Sequence, residues 1–156
     1  MRPRLVVAAP PGVGPLEVPE FDVEWRAAEI PYTKFIEPAR GQCRADKLVA
    51  ALSSGVAEPT VYVVDCDGYY PGLNFVFGLA APALKTAAVF TARLRGPRFE
   101  ERLVKEITHE AGHLYGLGHC QNPRCVMHFS NSLLDTDYKS PFFCDNCRRR
   151  LLRSLR

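Results

Sequence analysis

No hydrophobic run in this chain approaches the length of a bilayer crossing, which excludes a membrane-spanning helix. Charge of one sign is not in excess either. The formal net charge is only +3, too mild to call for nucleic acid by itself, so neither a membrane nor a nucleic acid is expected as a partner. There is no internal repeat and no low-complexity segment. An export signal is also missing: the apolar run Leu5 to Ala9 follows two arginines but stops at Pro10 and Pro11, too short for a secretory segment. A soluble, cytoplasmic protein is expected. Histidine is scarce, with four in 156 residues. Three of the four fall in one stretch.

What remains is an ordinary globular composition, 47% hydrophobic and 24% charged. A chain of 156 residues is one domain by default, able to bury roughly 68–70% of its unfolded surface. We expect a single domain over 1–156 and a monomer. Six cysteines would suggest a disulfide framework in an oxidising compartment, but nothing here points to export. Cys43 and Cys66 stand apart and read as small buried or half-buried thiols.

The stretch with the histidines is H-E-x-x-H-x-x-G-x-x-H, running from His109 to His119. Side chains at i and i+4 of a helix share a face, so His109 and His113 can reach one metal ion. Gly116 permits a sharp exit from the helix, because glycine enters left-handed conformations without a side-chain penalty. The turned chain can then return His119 as third ligand. Three protein ligands leave a fourth position open, as catalytic zinc sites do. Glu110, beside the first ligand, is placed to take a proton from a zinc-activated water.

Cys120 directly follows the third histidine, Cys125 and Met127 come next, and Cys144 and Cys147 complete a set of four cysteines. With the histidine motif, this pattern resembles the archaemetzincins, a metzincin-clan family of zinc metallopeptidases. The motif-bearing resemblance covers His109 to Cys147. It implies two zinc ions per chain: a catalytic one on the histidines and a structural one on Cys120, Cys125, Cys144 and Cys147. Four thiolates would fill a tetrahedral zinc and leave no open position. Two disulfides are the alternative pairing of those cysteines. The resemblance also makes Met127 a hydrophobic floor beneath the histidines. It implies that Leu73, Asn74, Phe75, Val76, Phe77, Gly78, Leu79 and Ala80 form the sheet edge above the cleft. There an extended peptide or protein substrate could add as a strand. Some metzincins carry a tyrosine two residues after the methionine; this chain has Phe129, which has no hydroxyl.

Five strands are expected: Leu5 to Ala9, Phe21 to Ala27, Thr60 to Asp65, Asn74 to Ala80 and Ala87 to Leu94. A helix is expected from near Gln42 to Leu52, a long one from Phe99 to Tyr115, and a short one from Cys147 to Leu155. Pro31 to Gly41 reads as a connection, Asp65 to Gly68 as a turn, and Cys120 to Cys147 as irregular chain. His128 reads as a locally bonded histidine. The five arginines from Arg148 to Arg156 read as a solvated helix face. The fold class is α/β (α+β), a metzincin-like mixed twisted sheet. An upper part over 1–116 and a zinc-stapled lower part over 117–156 are expected. The function expected is zinc-dependent peptide hydrolysis. The alternative is a zinc-binding interaction module without proteolysis, which would not need Glu110.

Overall fold

The computed structural model describes residues 2–156; Met1, the first residue of the N-terminal stretch, lies outside them. Five strands form the main sheet: β1 (Arg4–Ala9), β2 (Asp22–Ala27), β5 (Thr60–Val64), β7 (Gly78–Ala81) and β8 (Thr86–Phe90). Their spatial order is β2-β1-β5-β8-β7. The first four run parallel, and β7 closes one edge antiparallel to β8. A small second sheet joins β3 (Ile36–Glu37), β4 (Gln42–Arg44) and β6 (Gly68–Tyr69). The helices are α1 (Ala45–Leu52), α2 (Phe99–Leu114), α3 (Leu133–Tyr138) and α4 (Asp145–Ser154). No helix is long and apolar enough to cross a membrane among the described residues.

The inner parallel strands β1, β5 and β8 read as nearly unbroken apolar runs because both of their faces are covered. Leu5, Val7, Val61, Val63, Ala87 and Val89 turn toward one core, which Leu103, Ile107 and Ala111 of α2 complete. Their alternates Ala8, Val64, Ala88 and Phe90 turn toward a second core, with Leu48 and Val49 of α1. The first core also takes in Cys125, Met127, Phe143, Cys147 and Leu151, so the C-terminal third packs against α2.

Several expected boundaries move, each for a local reason. The strand expected from Asn74 starts only at Gly78. The carbonyls of Leu73 and Asn74 already accept from Arg40 (3.2 and 3.0 Å), and Asn74 also accepts from Gln42 (2.9 Å). Gln42 to Arg44 pairs as β4 before α1 begins, with the Cys43 amide bonded to the Asp67 carbonyl at 2.7 Å. The last main strand ends at Phe90, because the next amides turn back to Val64 and Cys66. Helix α4 starts at Asp145, directly after Cys144. Within the stretch expected to be irregular, α3 is a short helix that sequence reading missed.

Helix α3 is tied to α2 through side chains. Arg102 donates to both Asp137 oxygens (2.8 and 2.9 Å), and Lys105 donates to the Thr136 and Asp137 carbonyls (3.1 and 3.3 Å). The Arg102 hydrogen bonds hold the Asp137 carboxyl below its ordinary 3.8. A carboxyl depressed in the folded state adds stability above its unfolded pKa and loses it as pH falls through the folded one. Two charge-assisted bonds in a mostly buried pair make Arg102→Ala cost about 2 kcal/mol at neutral pH. In urea denaturation, the gap between Arg102→Ala and the unaltered chain should close progressively below pH 3.8.

Candidate active site

Helix α2 carries its chemistry on the C-terminal half, where every residue from Lys105 to Gly112 is buried. Its end is a left-handed glycine cap. Gly116 has φ +94°, its amide bonds the His113 carbonyl at 3.0 Å, and the Leu117 amide bonds the Gly112 carbonyl at 2.9 Å. That turn performs two tasks. It sends the chain back so that His119 meets His109 and His113, and it aims the Leu117 carbonyl at His113 Nδ1, 2.7 Å away.

The ring orientations are set in the same manner at His109, whose Nδ1 lies 2.8 Å from the Val126 carbonyl. A carbonyl can only accept, so in both rings Nδ1 carries the proton and Nε2 is left with its lone pair. These two Nε2 atoms stand 3.2 Å apart, a close approach of like lone pairs that a shared cation relieves. One nitrogen from each of the three rings falls within a 4.8 Å cluster. Burial lowers the pKa of all three histidines, most at His109, so they are neutral and fit to ligate. The donor set therefore fits a zinc ion. Met127 is fully buried against the same helix, with Gly112 making room: a Cβ there would stand 2.5 Å from the Met127 sulfur.

Glu110 is 4% exposed. Burial pushes its carboxyl well above the ordinary carboxylate range, the Glu106 charge adds to this, and the Lys139 charge opposes it. Glu106 and Lys139 form a buried ion pair at 3.2 Å. The Thr136 hydroxyl donates to the same Glu106 oxygen at 3.2 Å, and Lys139 also donates to the His128 carbonyl at 3.1 Å. His128 itself bonds through Nδ1 to the Cys120 carbonyl at 2.8 Å. Neither Glu106 nor Lys139 was singled out from sequence. Glu106 had a signal, standing one turn before Glu110 on the same face; Lys139 had none.

A cleft passes over the histidines. On one side is a cavity of about 200 Å³ bounded by Leu73 to Gly78, His109, Glu110 and Phe129. On the other is a wider space of about 490 Å³ with Leu73, Val76, Gly78, Leu79, Ala80 and Tyr70 along it. All eight residues expected above the cleft thus line it, but only Gly78 to Ala80 belong to the edge strand. Phe129 stacks near the His119 ring at 5.1 Å.

The other cysteines converge as well. Cys120, Cys125, Cys144 and Cys147 present their sulfurs within 4.8 Å of one another, all as free thiols. The Cys120 and Cys144 sulfurs are 3.8 Å apart. Zinc–sulfur bonds of about 2.3 Å in a tetrahedron require a sulfur separation of about 3.8 Å, whereas a disulfide needs about 2.05 Å. Amides of Met127 and Cys144 point at the Cys125 sulfur (3.4 and 3.3 Å), as suits a thiolate. At Cys144 burial acts to raise the pKa, but the Cys147 amide and the neighbouring thiols outweigh it and bring it down to about 7. These donors fit a second zinc. Cys43 and Cys66 lie elsewhere, within β4 and just past the end of β5.

The sequence model of peptidase family M54 matches residues 28–153. This chain belongs to that family. Across 155 residues it is 72% identical to the archaemetzincin of Pyrobaculum aerophilum, covering 99% of this chain and all of the relative. The crystal structure of archaemetzincin from Methanopyrus kandleri superposes with a TM-score of 0.84 at 38% identity, over 99% of this chain and 96% of that one. A zinc-dependent peptidase from Methanocorpusculum labreanum superposes with a TM-score of 0.85 at 29% identity, over 94% and 99% of the two chains. The archaemetzincin resemblance and the mixed α/β fold read from the sequence are therefore correct, and the M54 chain is a zinc metallopeptidase by family.

One glycine between sheet and helix deserves a direct experiment. A Cβ at Gly78 would stand 2.6 Å from a Glu110 carboxylate oxygen and 2.8 Å from the Ala88 carbonyl. Because the edge strand cannot retreat without breaking its ladder, Glu110 must move. Gly78→Ala should lower kcat by about 100-fold, as a misplacement near 1 Å does. Circular dichroism of the variant should still report the native fold.

Proposed function

We propose that this chain hydrolyses peptide bonds with a zinc ion held by His109, His113 and His119, and with Glu110 as general base. A second, structural zinc sits on Cys120, Cys125, Cys144 and Cys147. The observation that carries the reading is the convergence of three imidazoles and a buried carboxyl in the wall of one cleft. A zinc on three neutral imidazoles supplies a Lewis acid and a water whose pKa falls toward about 7.

The chain's own residues do the rest. Glu110, whose proton affinity burial raises, takes the proton of the attacking water and returns it to the leaving amine. Gly78 keeps the space that its carboxylate needs. Among the described residues no strand pairs with the outer edge of β7, so an extended peptide can add along Gly78 to Ala80 through main-chain hydrogen bonds. Leu73 to Phe77 contribute the rim, held in place by Arg40 and Gln42. Gly116 shapes the return of His119, and Met127 supports the rings from below. The division into an upper part (1–116) and a lower part (117–156) follows, with the cysteine site pinning the lower part to the end of α2 next to His119.

Glu110→Gln keeps a ligating set intact while removing the base. It should retain zinc and lose roughly 10²–10⁴-fold in kcat on a peptide substrate. Undiminished turnover would take Glu110 out of this role. Native mass spectrometry under reducing conditions tests the metal count. The unaltered chain should carry two zinc ions and His113→Ala one; a single zinc that survives His113→Ala would leave only the cysteine site.

A further inference from the structure

The cavity beside Glu110 holds a polar group that the proposed chemistry does not use. Ser130 is 9% exposed, and its hydroxyl is the one buried side-chain N or O atom without a hydrogen-bond partner among the described residues. It belongs to the wall of the smaller cavity. A buried hydroxyl left unpaired is costly, so an atom that satisfies it is favoured there. The segment that carries it is anchored on both sides. The His128 carbonyl is held by Lys139 at 3.1 Å, and the Asn131 amide donates to Asp135 at 2.9 Å. The Ser130 hydroxyl turns about one side-chain torsion only, on a backbone held by these two contacts.

The rest of the cavity restricts what can enter. Phe75 and Phe77, edge to face at 5.1 Å, line it together with Phe129, a lining suited to an aromatic or apolar body. Charge is disfavoured at the tip. Glu106, in the wall, is already paired at 3.2 Å with Lys139 buried behind it and so does not call for a cationic tip, while an anionic tip would meet Glu106 and Glu110. We propose that this cavity receives the substrate side chain beside the scissile bond, and that Ser130 selects there for an aromatic side chain with a neutral hydrogen-bonding tip, that of tyrosine. The inference rests on the peptidase reading above and names the substrate class for it.

A randomised peptide library cleaved by the zinc-loaded chain, with product termini read by mass spectrometry, should show tyrosine enriched at one position next to the cut. In matched peptides, kcat/KM for tyrosine over phenylalanine at that position should be about tenfold, because a site built for a hydroxyl rejects the analogue lacking it. Ser130→Ala should bring that ratio to about one. Equal cleavage of tyrosine and phenylalanine, a preference for lysine or arginine, or a ratio unmoved by Ser130→Ala would overturn the proposal. A binding measurement separates failure of this idea from failure of the peptidase reading. Fluorescence anisotropy of the same peptides on Glu110→Gln should favour tyrosine, and the preference should vanish in Glu110→Gln with Ser130→Ala. Tyrosine-selective binding without cleavage by the unaltered chain would sink the hydrolytic reading and keep the pocket assignment. Equal or absent binding sinks the pocket assignment.

Discussion

Everything at this site depends on burying the polar half of one helix. From Lys105 to Gly112, α2 presents a lysine, two glutamates, a threonine and a histidine to the interior. Polar groups taken out of water without partners cost several kcal/mol between them, and charges cost more. Each therefore has an assigned neighbour. Lys105 caps the carbonyls at the end of α3, Glu106 pairs with Lys139, Thr108 bonds back to the Val104 carbonyl at 2.8 Å, and His109 meets the Val126 carbonyl. Glu110 alone has no such neighbour and faces the cleft. The C-terminal third of the chain is thus less an appendage than the set of partners that lets α2 be buried.

This arrangement explains why the proposed metal ligands and the structural contacts are interleaved. The histidine rings are oriented by main-chain carbonyls of Leu117 and Val126, which lie on the return segment rather than on the helix. Orientation of the site and folding of that segment are one event. The cysteine cluster acts on the same segment, because Cys120 adjoins His119 and its amide bonds the Met127 carbonyl at 3.0 Å. Loss of order at either cluster would be felt at the other through a handful of backbone bonds.

The motif residues were legible in the sequence because ligand chemistry dictates their type and spacing. Main strands were legible because two covered faces demand continuous apolar runs, as in Thr60–Val64 and Thr86–Phe90. The rim at Leu73–Phe77 looked like a strand from its alternating aromatics. The carbonyls of Leu73 and Asn74 are instead claimed by Arg40 and Gln42, more than thirty residues earlier, which no local pattern reveals. The short strands of the second sheet and α3 were missed for a similar reason, since they are too brief to carry a period. Lys139 and Ser130 were invisible as site residues: Lys139 meets Glu106 from more than thirty residues away, and Ser130 joins the cavity wall with no motif around it.

The contact between Glu20 and the last helix sets a condition on synthesis. The Glu20 carboxylate is 5% exposed; it accepts from the Phe143 amide at 2.8 Å and from the Arg148 guanidinium at 2.8 and 2.7 Å. Its partners are made more than 120 residues later. A nascent chain therefore carries an unpaired carboxylate beside its first strands until Phe143 and Arg148 have been translated. The strands and α2 can gather beforehand, but the seating of α4 against Glu20 waits for that segment to emerge.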